Sequence, residues 1–511
     1  MNHNNFTSHN AVLVYISLFK FLLLLIFAGN YGLFRDEFYY IECSKHLAWG
    51  FVDQPPFSAL ILAVSRFIYG DSIFGIRIFA YLAGSVTVFM GGLLTREMGG
   101  NRFAEFITAV TIVFSGVLLG TTSYFSMNAF DLLLSVFFFF LLIKLIKTDN
   151  PKLWLAIGLV CGLGLMNKLS FLFLGFGLLV GLLLTSHRKY FLNKNLWYAA
   201  AIAFIIFLPN ILWQIFNDYP TLEFMRNAAQ YKNQSLSPLD FTLGSMLELN
   251  PGFTPFILIG LYFLFFHSSG KKFMLIGWIF LSVFIVFMFN NGKPYYMGIV
   301  YPVMLAAGAV GTEKIIERFV TKTLWAKVVV FIMLIPSFII VTPFAIPILP
   351  VDNFINFQEM IGIKPGSGER SELGVLPQFY ADRFGWEEMV KDVQKAYNKL
   401  SPEEKEHVII FVQNYGEAGA VNFYREKYNL PPAISSHNNY WIWGKDKKFA
   451  SDVYIVIGSN KEDNLEFFEE VELAASHFHP LGMPFENVDI FICRKPKANL
   501  GEVWKRLKHF I

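Results

Sequence analysis

The sequence predicts a polytopic α-helical membrane protein of about eleven transmembrane helices, followed by a soluble C-terminal α/β domain. Three observations predict it. Of 511 residues, 54% are hydrophobic and only 16% are charged, against about 25% charged in soluble globular chains. Apolar runs close to the ~20 residues that a bilayer crossing needs recur through the first two thirds of the chain. Near Pro350 the composition changes, and charges are spread through the rest of the sequence to Ile511. The net charge of +3 is too small to point to nucleic acid as a partner.

Taken in order, spans are expected near 11–31, 76–95, 103–121, 128–146, 153–167, 169–185, 196–214, 253–267, 273–290, 295–311 and 328–348. The first run is read as a retained span. The ten residues before it lack Lys and Arg, and no small-x-small cleavage site follows. Lys20 near its middle is expected to snorkel, or the span starts late. The short pair 153–167 and 169–185 reads as tilted or re-entrant. Gly158, Gly162, Gly164, Gly175, Gly177 and Gly181 read as small residues that let helices approach.

Lys and Arg in the short loops set the orientation. Arg96 and Arg102, then Lys144, Lys147 and Lys152, then Arg188, Lys189 and Lys194, then Lys271 and Lys272, then Lys314, Arg318, Lys322 and Lys327 alternate with the other loops. They are assigned to the cytoplasm. An odd number of spans then leaves the C-terminal part outside the cytoplasmic (inner) membrane. The domains are expected as 1–349, membrane-embedded with a first outer loop at 32–75, and 350–511, extracytoplasmic.

Within 350–511, strands are expected at Val408–Gln413, Asp452–Ile457 and Val488–Cys493, and helices over Trp386–Leu400, Glu417–Tyr428 and Asn464–Leu473. Strands alternating with helices indicate a partly parallel sheet. The three cysteines have no metal spacing. Cys161 reads as packing, and Cys43 and Cys493 could pair if both lie outside.

The stretch Gly32 to Pro56 concentrates polar chemistry between two apolar runs. It holds Arg35, Asp36, Glu37, Glu42, Lys45, His46 and Asp53 together with Phe38, Tyr39, Tyr40, Trp49 and Phe51. Charges beside a bilayer are costly unless solvated or used. The bland reading of Asp36-Glu37 is a solvated span end. The functional reading is a general base with a helper, or a pair that shares a divalent cation against a leaving phosphate. Asp53-Gln54-Pro55-Pro56 ends the stretch. The prolines stiffen the return to the membrane, and Asp53 and Gln54 are open between structure and reading sugar hydroxyls. Asp131 falls near the outer end of a span, as a helix cap or as an inward-facing functional acid. Lys168 and Lys293 end apolar spans, either snorkelling or gripping a phosphate. Tyr295 and Tyr296 are belt residues or substrate contacts. In the C-terminal domain, Asn414-Tyr-Gly-Glu417 follows a strand and opens a helix, as an anion-binding turn or simply a tight one. His437-Asn-Asn-Tyr-Trp-Ile-Trp-Gly444 offers aromatics suited to sugar, or to a core strand.

Arg35-Asp-Glu-Phe-Tyr-Tyr40, then His46-Leu-Ala-Trp-Gly-Phe-Val-Asp-Gln-Pro-Pro56, resembles the first outer loop of bacterial GT-C-type membrane glycosyltransferases. This family is related to the dolichyl-phosphate-mannose protein mannosyltransferases and includes aminoarabinose transferases. The resemblance continues through Asn128-Ala-Phe-Asp131, Gly162-Leu-Gly-Leu-Met-Asn-Lys168, Asn250-Pro251 and Gly292-Lys-Pro-Tyr-Tyr296, with Phe130 standing where the family has Pro. It implies a GT-C-like fold and transfer of a sugar from a polyprenyl-phosphate donor to an acceptor at the outer face, with inversion. It also implies a first-loop catalytic Asp, here Asp36, with Glu37 and Asp131 as further acids. Arg35, Lys168 and Lys293 are the expected donor-phosphate ligands. His46, Asp53, Gln54, Tyr295 and Tyr296 are the expected substrate contacts. The expected partners are the lipid donor, membrane lipid and an acceptor that is protein, lipid or glycan. A divalent cation is the one cofactor considered. The rival readings are a polytopic transporter, a lipid-linked glycan flippase, or an export subunit.

Overall fold

The computed structural model describes residues 9–445 and 451–511. It forms two compact units. The first comprises Met1–Asn30, Gln54–Ile215 and Ser235–Leu349, and the second comprises Tyr31–Asp53, Phe216–Gln234 and Pro350–Ile511.

The first unit is helical. Ile73–Glu97, Met127–Thr148, Lys194–Phe216, Lys271–Phe289 and Thr323–Ala345 are each long and apolar enough to cross a membrane. Two bent pairs raise the number to seven: Ser170–Leu184 with Ser186–Leu192, at 110°, and Pro238–Leu249 with Pro251–Phe266, at 94°. Asn10–Ile26, Phe57–Tyr69 and Leu153–Asn167 are shorter apolar helices. Helix occupies every expected span, but several runs are broken into pieces. Arg102–Val113 and Gly116–Gly120, for example, are separated at Phe114-Ser115.

The alternation of Lys and Arg is matched by the geometry of this unit. Lys147 Nζ meets Glu97 at 2.6 Å and Lys189 Nζ meets Asp149 at 2.7 Å. The Asn101 N–H donates to Glu313 at 2.8 Å, and His187 Nε2 lies 3.0 Å from the Lys272 carbonyl. The basic loops are therefore gathered at one end of the helices.

Glycine spacing acts as expected at most positions. A Cβ at Gly158 would lie 2.5 Å from the Ala199 carbonyl, and one at Gly181 would lie 2.9 Å from that of Leu275, whereas Gly175 has open space. Lys20 does not snorkel. It is fully buried and its Nζ donates to the Leu118 carbonyl at 3.0 Å. Leu118 lies in the helical piece that follows the break at Phe114-Ser115, so a broken helix supplies the acceptor that a buried ammonium needs.

The second unit is built on a five-stranded sheet: β1 (Ile409–Val412), β2 (Ala433–Ser435), β3 (Val453–Ile457), β4 (Phe468–Ser476) and β5 (Asp489–Pro496). The order is β2-β1-β3-β5-β4, parallel across β2-β1-β3 and antiparallel across β3-β5-β4. The helix expected over Asn464–Leu473 stops early, because Lys461–Phe467 is helical and the chain then enters β4. Pairing with β5 overrides the helix preference of the Glu-rich run, as tertiary context commonly does for strands. Cys43 and Cys493 are free thiols rather than a disulfide. Each is fully buried, Cys43 in the helix Arg35–Lys45 and Cys493 in the interior of β5.

The first-loop helix Arg35–Lys45 packs against the helix Tyr415–Tyr428 of the same unit. Two glycines permit this approach: a Cβ at Gly419 would sit 2.7 Å from Phe38 Cβ, and one at Gly416 would sit 2.8 Å from Arg35 Cγ. Phe38 and Tyr39 are buried in the contact. Phe216–Gln234 is tied in through Asn227 Nδ2 to the Phe510 carbonyl (2.8 Å) and Lys508 Nζ to Glu223 (2.7 Å).

Candidate functional site

Two clusters hold most of the expected site residues, one in each unit. In the second unit the first-loop helix presents its N-terminus. Arg35 is buried, with its guanidinium 4.8 Å from the centre of the Tyr415 ring and its Nε 3.5 Å from Glu486. Asp36 is half-buried, and its Oδ1 accepts from the Tyr415 hydroxyl at 2.8 Å. Glu37 is fully buried and its Oε2 accepts the Phe34 N–H at 2.8 Å, closing the start of the helix. Adjacent in sequence, the two acids thus have different surroundings, because successive side chains diverge by about 100° around a helix.

Asp53 accepts from the Tyr39 hydroxyl at 3.0 Å. Burial raises its pKa to about 6 despite that hydrogen bond. Asp382, whose carbonyl accepts the Arg35 N–H at 2.9 Å, is pushed to about 7 by burial against the attraction of Arg35. Lys232 lies 5.9 Å from the Tyr415 ring centre and 3.7 Å from Glu369, and its charge acts on Asp53. Sequence reading missed Tyr415 and Lys232. Tyr415 lies 379 residues from the acid it serves, and no local pattern signals such a partner.

The Asn414–Glu417 turn is not an open anion site. Glu417 Oε2 accepts the Gln413 N–H at 2.9 Å, and Asn414 Oδ1 accepts from Gly416 and Glu417 at 2.8 and 3.1 Å. The turn's own carboxylate and amide occupy the helix N-terminus. His46 sits at the opposite end of the first-loop helix from Asp36, stacked 4.7 Å from Trp443.

In the first unit, Asp131 is buried and accepts from Ser170 Oγ at 2.6 Å. Lys168 Nζ lies 4.0 Å from Asp131 and donates to Asn128 Oδ1 at 2.7 Å. The same ammonium stands 4.8 Å from the Tyr296 ring centre and 5.5 Å from that of Tyr295. Four expected site residues therefore converge from three separate segments. Lys293 acts electrostatically on Glu248, whose Oε2 has no hydrogen-bond partner among the described residues. Gln54 is buried and accepts from Ser58 Oγ at 3.2 Å, at the start of the helix Phe57–Tyr69. Among the described residues no group of three or more His, Cys, Asp or Glu is placed to hold a metal ion.

Comparison with known proteins gives the architecture a family setting. The structure of ArnT from Cupriavidus metallidurans bound to undecaprenyl phosphate superposes with a TM-score of 0.61 at 12% identity, over 94% of this chain and 97% of that one. This is a GT-C-type fold. The Archaeoglobus fulgidus oligosaccharyltransferase matches the same fold at a TM-score of 0.54 and 12% identity, over 84% of this chain and 64% of that one. Residues 53–213 match the family model described as dolichyl-phosphate-mannose-protein mannosyltransferase. The undecaprenyl phosphate-alpha-4-amino-4-deoxy-L-arabinose arabinosyl transferase 2 of Pseudomonas fluorescens is 26% identical over 122 residues, 23% of this chain and 21% of the relative. The lipid A galacturonosyltransferase RgtD of Rhizobium johnstonii is 23% identical over 205 residues, 40% of this chain and 43% of the relative. The chain thus spans about a fifth to two fifths of the length of these curated relatives. By fold and by these segments it is a polytopic membrane protein related to the GT-C glycosyltransferases.

Proposed function

We propose that the protein transfers a sugar from a polyprenyl-phosphate donor to an acceptor at the outer face of the cytoplasmic membrane. The observation that carries this reading is the convergence of Lys168 with Asp131, Tyr295 and Tyr296 inside an apolar helical unit of GT-C fold. A snorkelling lysine turns its ammonium to water. This one is held among aromatic faces beside a buried acid, where a point charge serves an anion.

In this reading the eleven apolar stretches, joined across their breaks, cross the membrane with the basic loops inside. Residues 350–511 are then extracytoplasmic, and so is the catalytic first outer loop, whose residues 31–53 belong to the same compact unit. Asp36 takes the proton from the acceptor hydroxyl, and Tyr415 orients its carboxylate. The acceptor oxygen bonds to the anomeric carbon as the bond from that carbon to the phosphate oxygen breaks, inverting the centre. Lys168 and Lys293 offset the charge that develops on the departing lipid phosphate. Asp131 holds Lys168, while Tyr295 and Tyr296 contact the sugar or its phosphate. A divalent cation, where bound, would neutralise charge on the donor phosphate.

The test is transfer by purified protein in lipid nanodiscs, from a labelled polyprenyl-phosphate hexose to a cell-envelope glycan extract. Asp36→Asn should keep expression and thermal midpoint but lower the rate by roughly 10²–10⁴-fold, the usual contribution of a general base. An unimpaired Asp36→Asn variant would remove the assigned base.

A further inference from the structure

At the far end of the first-loop helix from Asp36 lies a cavity of ≈ 270 Å³. Its lining includes Glu42, Lys45 and His46 of that helix, Arg425 of the helix Tyr415–Tyr428, and Tyr440 and Trp443. All belong to the second unit. Asp36 and the Lys45 end are separated by nine residues, or about 13 Å along a helix at 1.5 Å per residue. The cavity is therefore distinct from the cluster around Asp36.

Its aromatic wall is built and held. Trp443 packs against His46 (4.7 Å) and Tyr440 (5.0 Å). The turn that carries Tyr440 and Trp443 is pinned from behind. Asn438 has φ 46°, a left-handed conformation, and exchanges hydrogen bonds with Ile511 at 3.1 and 3.2 Å. Trp441 and Trp504 each donate the indole N–H to the other's carbonyl, at 2.9 and 3.0 Å. Fixed aromatics of this kind bind with little ordering cost.

Its polar groups are not all spent. Glu42 is neutralised by Lys45 at 2.7 Å. Arg425 makes no ion pair among the described residues, so the lining carries one uncompensated positive charge. Tyr440 contributes its ring to the wall, since its hydroxyl is buried away from the cavity beside Asn422. The Asn422 amide is committed to Ala433, donating to its carbonyl at 3.3 Å and accepting its N–H at 2.8 Å.

We propose that this cavity binds one hexose unit bearing an anionic group, stacked on Trp443, with its anion at Arg425. The volume lies just below the range of pockets that hold drug-sized ligands and suits a single sugar ring. His46, an expected substrate contact, is a member of this pocket. The inference needs only that the cavity take the sugar and does not depend on transfer at Asp36.

The test is calorimetric titration of the full-length protein in nanodiscs with glucose 1-phosphate, glucuronate, glucose and inorganic phosphate. The two anionic hexoses should bind, and glucose and phosphate should each bind at least tenfold more weakly. Trp443→Ala and Arg425→Gln should each weaken binding of the anionic hexoses tenfold or more. Trp443→Phe, which keeps a stacking face, should restore most of the loss and guards against a misfolded Ala variant. Asp36→Asn should bind as wild type even where it abolishes transfer, which separates this site from the proposed reaction. A further titration, with nanodiscs carrying a phosphorylated glycolipid, assigns the natural source. Saturation of the cavity before free sugar is added points to a lipid headgroup, and unchanged sugar binding points to a soluble ligand. Binding of glucose equal to that of the anionic hexoses, no binding of any of them, or unchanged binding in both Arg425→Gln and Trp443→Ala would overturn the proposal.

Discussion

Asp53 and Asp382 show what single residues contribute at the first-loop cluster. Both carboxyls are raised by burial, Asp53 to about 6 and Asp382 to about 7. Their ordinary value is near 4. The folded state therefore binds these protons more tightly than the unfolded chain, and stability falls as pH rises through the window from about 4 to 6 for Asp53 and to about 7 for Asp382. Above that window the loss is complete and the profile is flat. Asp53→Asn keeps an acceptor for the Tyr39 hydroxyl and removes the titration. Its thermal midpoint should therefore decline less than that of wild type between pH 4 and 6, and should exceed wild type by a few degrees at pH 7. A differential scan against pH checks this, and an unchanged slope would show Asp53 to be solvated like a surface acid. Asp53 was legible in the sequence because it sits in a polar stretch between apolar runs. Asp382, Lys232 and the tie from Tyr415 to Asp36 were not, because they reach the cluster through the fold.

At the scale of elements, the first-loop helix is set by its N-terminus. No Ser, Thr, Asp or Asn stands at the cap position, where Phe34 sits. Glu37 reaches back instead to the Phe34 N–H. This gives the two neighbouring acids separable roles that sequence alone left open. Glu37→Gln retains an acceptor oxygen and should keep at least half of the wild-type transfer rate. Glu37→Ala leaves an orphaned donor and should destabilise the second unit by ~1–3 kcal/mol. Thermal unfolding together with the transfer rate decides it. A Glu37→Gln variant as inactive as Asp36→Asn would place Glu37 in the chemistry rather than at the cap. The strands β1, β3 and β5 were legible from their β-branched and aromatic runs. β4 was not, because Glu469, Glu470 and Glu472 read as a helical face. In the fold these charges guard an edge strand: Glu472 meets Arg494 at 3.3 Å, and Glu470 pairs with Lys495.

At the scale of the whole molecule, composition made the membrane-embedded helices legible, and charge alternation made their common basic end legible. Helix breaks were not, since Phe114-Ser115 and Asn250-Pro251 sit within or beside continuous apolar runs. Nor did composition reveal that the compact unit containing 350–511 also includes Tyr31–Asp53 and Phe216–Gln234. That assembly has a measurable consequence. Phe38 and Tyr39, packed against residues of 350–511, are each at most 2% exposed. Burying a large apolar side chain contributes about 1.5–3 kcal/mol, so the two supply roughly 3–6 kcal/mol, an upper estimate. A domain's whole stability is only about 5–15 kcal/mol. Residues 350–511 produced alone should therefore lack a cooperative thermal transition and bind a hydrophobic dye. A single chain joining residues 31–53 to that fragment through a flexible linker should regain the transition and lose the dye. A fragment of 350–511 that unfolds cooperatively within a few degrees of the linked chain would show that the first-loop helix rests on a finished domain rather than completing its core.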